Sequence, residues 1–153
     1  MNKEFTNADV LNIVGYAENE KAGINKMDSK FSMEFIWKFR KNIKKLRVVK
    51  EEYDTVMQEL ANSFSTDEKS HVTENGSRIL NDEYIDEYNA RVYELFTQKN
   101  NIDIETVPID HMIVGGADAM KDVNIAYPEL ELLMFMIDDG ADEVEVVNGT
   151  VEE

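Results

Sequence analysis

The chain has 153 residues, of which 42% are apolar, which is enough for one domain with a hydrophobic core. Thirty-two acidic residues against sixteen basic ones give a net charge of −16, so we expect the folded surface to repel nucleic acid and anionic membranes and to attract basic proteins. The absence of cysteine excludes disulfide bonds, thiolate zinc sites and cysteine nucleophiles.

The hydropathy of the chain predicts a protein that neither enters a membrane nor leaves the cell through a signal peptide. No apolar run approaches the ~18 residues that cross a bilayer. The first ten residues, MNKEFTNADV, contain no apolar stretch of the kind that signal peptides have. The expected location is therefore inside the cell.

The first predicted element is a short helix. Thr6 and Asp9 have the spacing of a capping box, and apolar residues follow at helical intervals at Val10, Leu11, Val14 and Ala17. This helix is predicted to end near Gly23. Residues 24–30 show no clear period and could form either a strand or a loop.

A long second helix is predicted from Ser32, its N-terminal cap, to about Asn62. Its apolar seam has heptad spacing and consists of Phe39, Ile43, Leu46, Tyr53, Met57, Leu60 and Phe64. Lys50 interrupts this seam, where a cation either extends to water or specifies pairing. Apolar residues surround the first turns of the helix, which predicts burial of Met33, Phe35, Ile36, Trp37 and Phe39.

A β-hairpin and a third helix are predicted next. Asn75-Gly76 lies between two short stretches of β-forming residues, which is a strong hairpin signal. Asn81 or Asp82 can cap a helix whose apolar face is Tyr84, Ile85, Tyr88, Val92, Leu95 and Phe96. Packed antiparallel on the long helix, it would form a helical hairpin that buries both apolar stripes, with residues 63–80 at its tip.

The C-terminal part is predicted to contain a strand, a helix and an acidic end. Ile102, Ile104, Val107 and Ile109 alternate with polar residues, and Pro108 suits an edge strand. Pro128 suits the first turn of a helix over 128–139 that ends at Gly140. Because this helix is apolar on nearly all sides, we expect it to be buried, in the core or against a partner, with the core preferred.

These elements predict the fold class α+β, mostly α. The architecture is a long helical hairpin with a small β-hairpin, edge strands and a buried C-terminal helix. One domain is expected over residues 1–140. Residues 141–153 alternate acidic and apolar side chains about a second Asn-Gly, and are predicted to be either an acidic tail or an edge hairpin.

Basic residues are concentrated in one segment of the long helix. Seven of the sixteen bases lie within residues 38–50, with no acid among them: Lys38, Arg40, Lys41, Lys44, Lys45, Arg47 and Lys50. This band could bind nucleic acid or an acidic protein, or it could neutralise acids of the protein itself. The second interpretation is preferred, because the overall charge opposes approach to phosphate and the exposed face of the band lacks stacking aromatic residues.

Acidic residues are concentrated at the other end of the sequence. Residues 101–153 contain fourteen acids and one base, Lys121, a net charge of −13. A surface of this kind could mimic the phosphates of a nucleic acid and occupy a basic groove on another protein. The alternative interpretation is a solvated face with a solubilising tail.

No catalytic site, metal site or cofactor is predicted. His71 and His111 belong to no metal-binding pattern, and they are interpreted as ordinary surface residues. No pair of carboxylates stands out, and the chain contains no phosphate-binding glycine loop, nucleophile elbow or dinucleotide fingerprint. We therefore expect a protein that is not an enzyme.

A family resemblance rests on six features in order. They are an opening helix rich in Ala, Asp and Leu, the segment 39–46 (FRKNIKKL) leading into a long helix, a polar stretch with Asn-Gly, a further helix, the strand 102–105 (IDIE), and 128–133 (PELELL) before an acidic end. From about Asp9 to Asp139 the chain resembles an uncharacterised family of small proteins encoded by phages and prophages of low-GC bacteria. The resemblance implies no catalytic residues, and a location in the host cytoplasm or the virion.

The function predicted is that of a non-catalytic phage-type accessory protein that acts through protein contacts. Its acidic surface would inhibit a host or defence protein that binds nucleic acid, and the alternative is a virion or tail assembly component or a homo-oligomeric structural protein. The expected partner is a basic protein, with self-association through helix 33–62 as a further interaction, and direct nucleic acid binding is not expected. The residues predicted to bind a partner are Lys41, Lys44, Lys45, Asp138, Asp139, Asp142, Glu143 and Glu145.

Overall fold

A helix of 32 residues, α2 (Met33–Phe64), is the longest element of the computed structural model, which describes residues 1–26, 29–116, 118–119 and 125–138. The other elements are β1 (Asn2–Thr6), α1 (Asn7–Glu18), β2 (Ser70–Val72), β3 (Arg78–Leu80), α3 (Ile85–Phe96), β4 (Lys99–Asp103), β5 (Val107–Pro108), α4 (Tyr127–Leu133) and β6 (Ile137–Asp138). The predicted fold class, α+β and mostly α with a long helix and small sheets, is confirmed.

Within the described residues, the strands form three separate pairs. β1 and β4 are antiparallel, with Thr6 opposite Lys99, and β2 and β3 form the predicted hairpin about Asn75-Gly76. β5 and β6 are parallel, with Val107 opposite Ile137. The hairpin turn places Gly76 at φ +86°, a conformation that glycine adopts without strain.

After the hairpin, the chain follows α2 back toward its beginning. Along this return, the ring of Tyr88 contacts that of Phe64, Lys45 donates to the carbonyl of Asp103, and Lys38 donates to that of Thr106. In these three contacts, the residue numbers on α2 decrease while those on the returning segment increase. The predicted antiparallel helical hairpin is therefore present, and its second arm continues into β4 and β5 beside the first half of α2.

One buried amide fixes the register of the return. Nδ2 of Asn42 donates to the carbonyl of Glu105 at 2.9 Å, and Oδ1 of Asn42 accepts from the backbone N–H of Glu105 at 2.9 Å. Asn42 is fully buried. Since residues 104–106 lie outside any strand, this side chain provides hydrogen bonds that a sheet would otherwise supply.

The hydrophobic core occupies one end of the molecule. Its buried side chains come from β1, α1, the connection between α1 and α2, the first half of α2, residues 102–113 and the segment 133–137. They include Val14, Ile24, Leu46, Met112 and Met136. No residue of the core cluster lies between positions 47 and 101. The second half of α2, the β-hairpin and the start of α3 therefore extend beyond the core as an arm. The end of α3 returns to the core region, where Asn7 donates to the carbonyl of Leu95.

Several predicted boundaries in the core region were wrong. The capping box of Thr6 and Asp9 is present, but α1 ends at Glu18, because Asn19 accepts from the N–H of Lys21 and starts a turn. The helix predicted over 128–139 ends at Leu133, because Ile137 pairs with Val107 in a parallel ladder. β1 was not predicted, and the single strand predicted near Pro108 is two strands, β4 and β5.

Two predictions of burial were wrong in part. At the start of α2, Phe35 and Phe39 are buried as predicted, but Met33 is 75% exposed and Trp37 is 63% exposed. The predicted apolar face of α3 contains no buried residue. Both α1 and α2 contact α3, but they cover its stripe only in part, so Ile85 and Phe96 remain exposed. Neither Asn81 nor Asp82 caps α3 through its side chain, because a 3₁₀ turn at Asp82–Tyr84 precedes the helix.

Replacing Asn42 with alanine should lower the free energy of unfolding by about 2–4 kcal/mol, because two partly buried backbone groups of Glu105 lose their partners. The measurement is urea denaturation followed by circular dichroism. Asn62→Ala is the matched control, since Asn62 lies in the same helix with an exposed side chain, and it should change stability by less than about 0.5 kcal/mol. Equal losses in the two variants would contradict the assigned role of Asn42.

Stability should decline at alkaline pH through Tyr16, whose hydroxyl donates to Oε1 of Glu129 and joins α1 to α4. Burial, and then the hydrogen bond and charge of Glu129, raise the pKa of Tyr16 above its ordinary value of 10.0. Above that pH the unfolded chain loses a proton that the folded chain retains, so the free energy of unfolding falls as pH rises. Tyr16→Phe should make this decline shallower in urea denaturation between pH 9 and 11. An unchanged slope of unfolding free energy against pH would contradict the role assigned to Tyr16.

Candidate functional site

The helical repeat divides the basic band of α2 into rows on different sides of the helix. The first row is Lys38, Lys41 and Lys45, and the second row is Arg40, Lys44 and Arg47. Lys50 belongs to neither row, and its ammonium group contacts the Asp54 carboxylate one turn later at 2.7 Å. The hydrogen bond from Lys50 to Asp54 raises the lysine pKa above its ordinary value.

The first row contacts the protein's own returning chain. Lys45 donates to the carbonyl of Asp103 at 2.7 Å, and Nζ of Lys41 lies 3.8 Å from the carboxylate of Glu105. Lys38 reaches the carbonyl of Thr106. Two residues predicted to bind a partner, Lys41 and Lys45, therefore have internal partners, in line with the interpretation that the band neutralises groups of the protein itself.

The second row lines a groove of about 370 Å³ between α2 and the end of α1. Arg40, Lys44 and Arg47 form one wall, and Ala17 and Asn25 contribute to the opposite side. The amide of Asn25 donates to the carbonyls of Ala17 and Asn19, which holds this wall in place. Of the residues predicted to bind a partner, Lys44 lines the groove, and so does Lys41 of the first row, which also contacts Glu105.

Few carboxylates lie near the second row. Within residues 1–26, 29–116, 118–119 and 125–138, Arg47 lies 3.7 Å from Glu18, whereas Arg40 and Lys44 have no carboxylate within 4.0 Å. Arg47 and Glu18 are both about half-exposed, so their attraction is weak. The groove is thus a local region of positive charge on a protein with a net charge of −16.

An exposed aromatic ring stands beside these cations. Trp37 lines the cationic groove, and it also lines an adjacent apolar hollow of about 240 Å³ that includes Ile24, Met33 and Ile36. The ammonium group of Lys41 lies 5.5 Å from the indole centroid, a cation–π contact. The expectation that the band lacks a stacking aromatic residue was therefore wrong.

Sequence reasoning missed Trp37 because it interpreted every apolar residue at the start of α2 as core. The buried positions Phe35, Asn42 and Leu46 define one stripe of the helix. At 3.6 residues per turn, Trp37 and Lys44 fall on the opposite face. Assigning the residues of α2 to its two faces separately would have grouped Trp37 with the second row.

A second acidic surface is the arm formed by residues 51–98, here called the acidic arm. It contains twelve acids and three bases, a net charge of −9, and every one of its acidic residues is exposed. Sequence analysis placed the acidic surface at 101–153 and did not identify this one. The arm was missed because its acids are divided between α2, the hairpin and α3, which only the fold brings together.

The bases of the acidic arm neutralise little of this charge. Arg78 contacts the carboxylate of Asp67 at 3.3 Å, and Lys69 lies over the rings of Phe64 and Tyr84. Within the described residues, ten of the twelve carboxylates of the arm have no cationic group within 4.0 Å, the exceptions being Asp54 and Asp67.

The predicted acidic contact residues at the C-terminal end are described only in part. Asp138 lies in β6, opposite Pro108 of β5, and is half-buried. Asp139, Asp142, Glu143 and Glu145, together with the tail predicted at 141–153, lie outside the described residues. The structure therefore brings Lys44 into a groove, but places Asp138 in a different part of the core region.

The two histidines lie far apart in the sequence and have separate partners. Nδ1 of His71 is 2.6 Å from Asn81, and Nδ1 of His111 is 3.1 Å from Glu34. A hydrogen bond from Lys38, aided by His111, lowers the pKa of Glu34 below its ordinary value. Among the residues described, no three His, Asp or Glu side chains are grouped to hold a metal ion, and no helix combines the length and hydropathy needed to cross a membrane.

Comparison of the chain with models of known families, with curated proteins and with solved structures finds no match. The two charged surfaces are therefore interpreted from their own geometry.

Fluorescence quenching can test the positive potential of the groove, because Trp37 is the single Trp of the chain. We expect the ratio of iodide to caesium quenching to be about twofold higher for Trp37 than for free N-acetyl-tryptophanamide at low ionic strength, although the whole protein is anionic. Arg40→Gln combined with Lys44→Gln should reduce this preference, whereas Lys21→Gln with Lys99→Gln should retain it. A ratio below that of free N-acetyl-tryptophanamide in the unmodified protein would show that the net charge dominates at the groove.

Proposed function

We propose that this protein is a non-catalytic accessory protein of the phage type that its sequence resembles, and that it binds a basic protein through the acidic arm. The observation that supports the proposal is a projection with net charge −9 whose carboxylates are all exposed. A basic partner would be attracted over a long range, and the complementary fields would determine its orientation.

The shape of the arm supports contact with a groove rather than with a flat surface. It extends beyond the hydrophobic core, and its carboxylates come from both helices and from the hairpin at its tip. A nucleic-acid-binding groove is lined with Lys and Arg that normally neutralise phosphates. Exposed carboxylates on a narrow projection can occupy such a groove, so the proposed activity is inhibition of a nucleic-acid-binding protein.

The test combines capture of the partner with charge variants of the arm. The tagged protein is used to capture proteins from host lysate, with and without nuclease and at two salt concentrations, and the captured partner is then purified. The arm variant carries Glu52→Gln, Glu59→Gln and Glu94→Gln, and the matched control carries Glu20→Gln, Asp110→Asn and Glu131→Gln outside the arm. All six residues are exposed, and each variant raises the net charge by the same amount.

We expect the capture of one basic nucleic-acid-binding protein, which is released at high salt and is displaced by nucleic acid. The arm variant should weaken calorimetric affinity about tenfold or more, since each lost contact contributes about 0.5–1 kcal/mol, while the control should change it by less than about threefold. Equal weakening by both variants, or recovery only of the protein itself and virion components, would refute binding through the acidic arm.

A homo-oligomeric assembly component is the second candidate, and exposed apolar residues on the arm favour it. The seam positions Tyr53, Met57 and Leu60 are only half-buried, and Tyr93 and Phe96 of α3 are exposed. A second copy could cover them, although two arms of like charge repel each other. If the arm is an oligomer interface, sedimentation velocity should show association that increases with salt, and a monomer at every salt concentration would exclude this candidate.

A further inference from the structure

The groove beside Trp37 has a chemistry opposite to that of the acidic arm and calls for a different ligand. We propose that it binds a small phosphorylated aromatic molecule of the mononucleotide class. The ring of the ligand stacks on Trp37, and its phosphate lies between Arg40 and Lys44. This site does not depend on the proposed function of the arm.

The cations of the second row suit a compact anion. Arg40 and Lys44 are four residues apart, so one turn of α2 brings both side chains to the same face. Neither has a carboxylate within 4.0 Å among the described residues, although acids outnumber bases two to one in the chain. A guanidinium group can also hold two phosphate oxygens at once, which makes Arg40 well suited to a terminal phosphate.

The exposed indole accounts for an aromatic component of the ligand. Trp37 is 63% exposed and separates the cationic groove from the apolar hollow of Ile24, Met33 and Ile36. Lys41 lies 5.5 Å from its ring centroid, yet most of the side chain remains open to a second partner. Stacking on an aromatic side chain is the usual way in which proteins hold a base, and the adjoining hollow provides apolar surface for its edge.

The charges around the groove limit the length of the anion. Glu18 lies 3.7 Å from Arg47 at one position and Glu105 lies 3.8 Å from Lys41 at another, so carboxylates flank the cationic surface. A single phosphate can be held within a Debye length of Arg40 and Lys44. A polynucleotide would extend past them into the field of an anionic protein. The groove volume of about 370 Å³ is near the lower end of small-molecule sites.

The backbone around the groove disfavours an acidic peptide as the ligand. One wall is the outer face of α2, whose backbone groups are bonded within the helix, and the opposite wall is the end of α1 with the 3₁₀ turn Gly23–Asn25. No strand of the described chain presents an edge here. A peptide would therefore lack the backbone hydrogen bonds on which extended peptides rely.

The first experiment is a fluorescence titration of Trp37 in the full chain with adenosine 5′-monophosphate, compared with adenosine and with ribose 5-phosphate. The nucleotide should quench the emission and bind at least tenfold more tightly than adenosine or ribose 5-phosphate, because only the nucleotide has both a base that stacks and a phosphate. Equal affinity for nucleotide and nucleoside, or for nucleotide and sugar phosphate, would overturn the proposal.

Variants locate the ligand, with affinity measured by calorimetry and folding checked by circular dichroism. Arg40→Gln with Lys44→Gln should weaken nucleotide binding at least tenfold, and the matched pair Lys21→Gln with Lys99→Gln should change it less than twofold. Trp37→Leu should also weaken it at least tenfold. Glu18→Gln should strengthen binding about twofold, because it removes a carboxylate that competes for Arg47. Loss of affinity in the matched pair equal to that in the groove variant would refute the assignment.

Two competitors complete the test. A series of single-stranded oligonucleotides that binds more tightly with each added nucleotide would assign the groove to a polymer and overturn the proposal. A synthetic peptide of residues 139–153, which contains six acids and no base, should not displace the nucleotide. Displacement at comparable concentrations would instead assign the groove to an acidic protein segment. Retention of the mononucleotide against both competitors is the result that the geometry predicts.

Discussion

The two hydrogen bonds between the Asn42 side chain and the backbone of Glu105 determine how the chain lies along α2. A buried amide with a single satisfied arrangement allows one register, because a shift of one residue would leave both its donor and its acceptor unpaired. This register places Asp103 beside Lys45 and Thr106 beside Lys38. The first basic row is thus bound internally, and the second row faces the groove.

The molecule separates its charges along one helix. Arg40 of the groove and Glu59 of the acidic arm are nineteen residues apart in α2, about 28 Å at the rise of an α-helix. This distance is more than three times the Debye length at physiological salt, so the middle of the acidic arm is screened from Arg40, whereas Glu51, where the arm begins, is only four residues from Arg47. The same helix can therefore present a cationic groove to a small anion and a carboxylate surface to a basic protein.

The helices were the most predictable part of the structure, and the ends of elements were the least. The capping residues Thr6 and Ser32 act locally, so the starts of α1 and α2 followed from the sequence. The end of α4 did not, since Met134–Met136 turns away so that Ile137 can pair with Val107, thirty residues earlier in the chain. β1 could not be predicted from its sequence either, because its stability comes from the antiparallel partner β4 rather than from its own residues.

Composition and local pattern by themselves determined the fold class, the long helix, the hairpin at Asn75-Gly76 and the concentration of bases in residues 38–50. Only the tertiary structure decided which face of each helix is covered. Charge counts along a sequence do not distinguish Lys45, which contacts a carbonyl of its own chain, from Lys44, which lines a groove. The environment of a side chain depends on distant segments, and their positions result from the packing of the whole core.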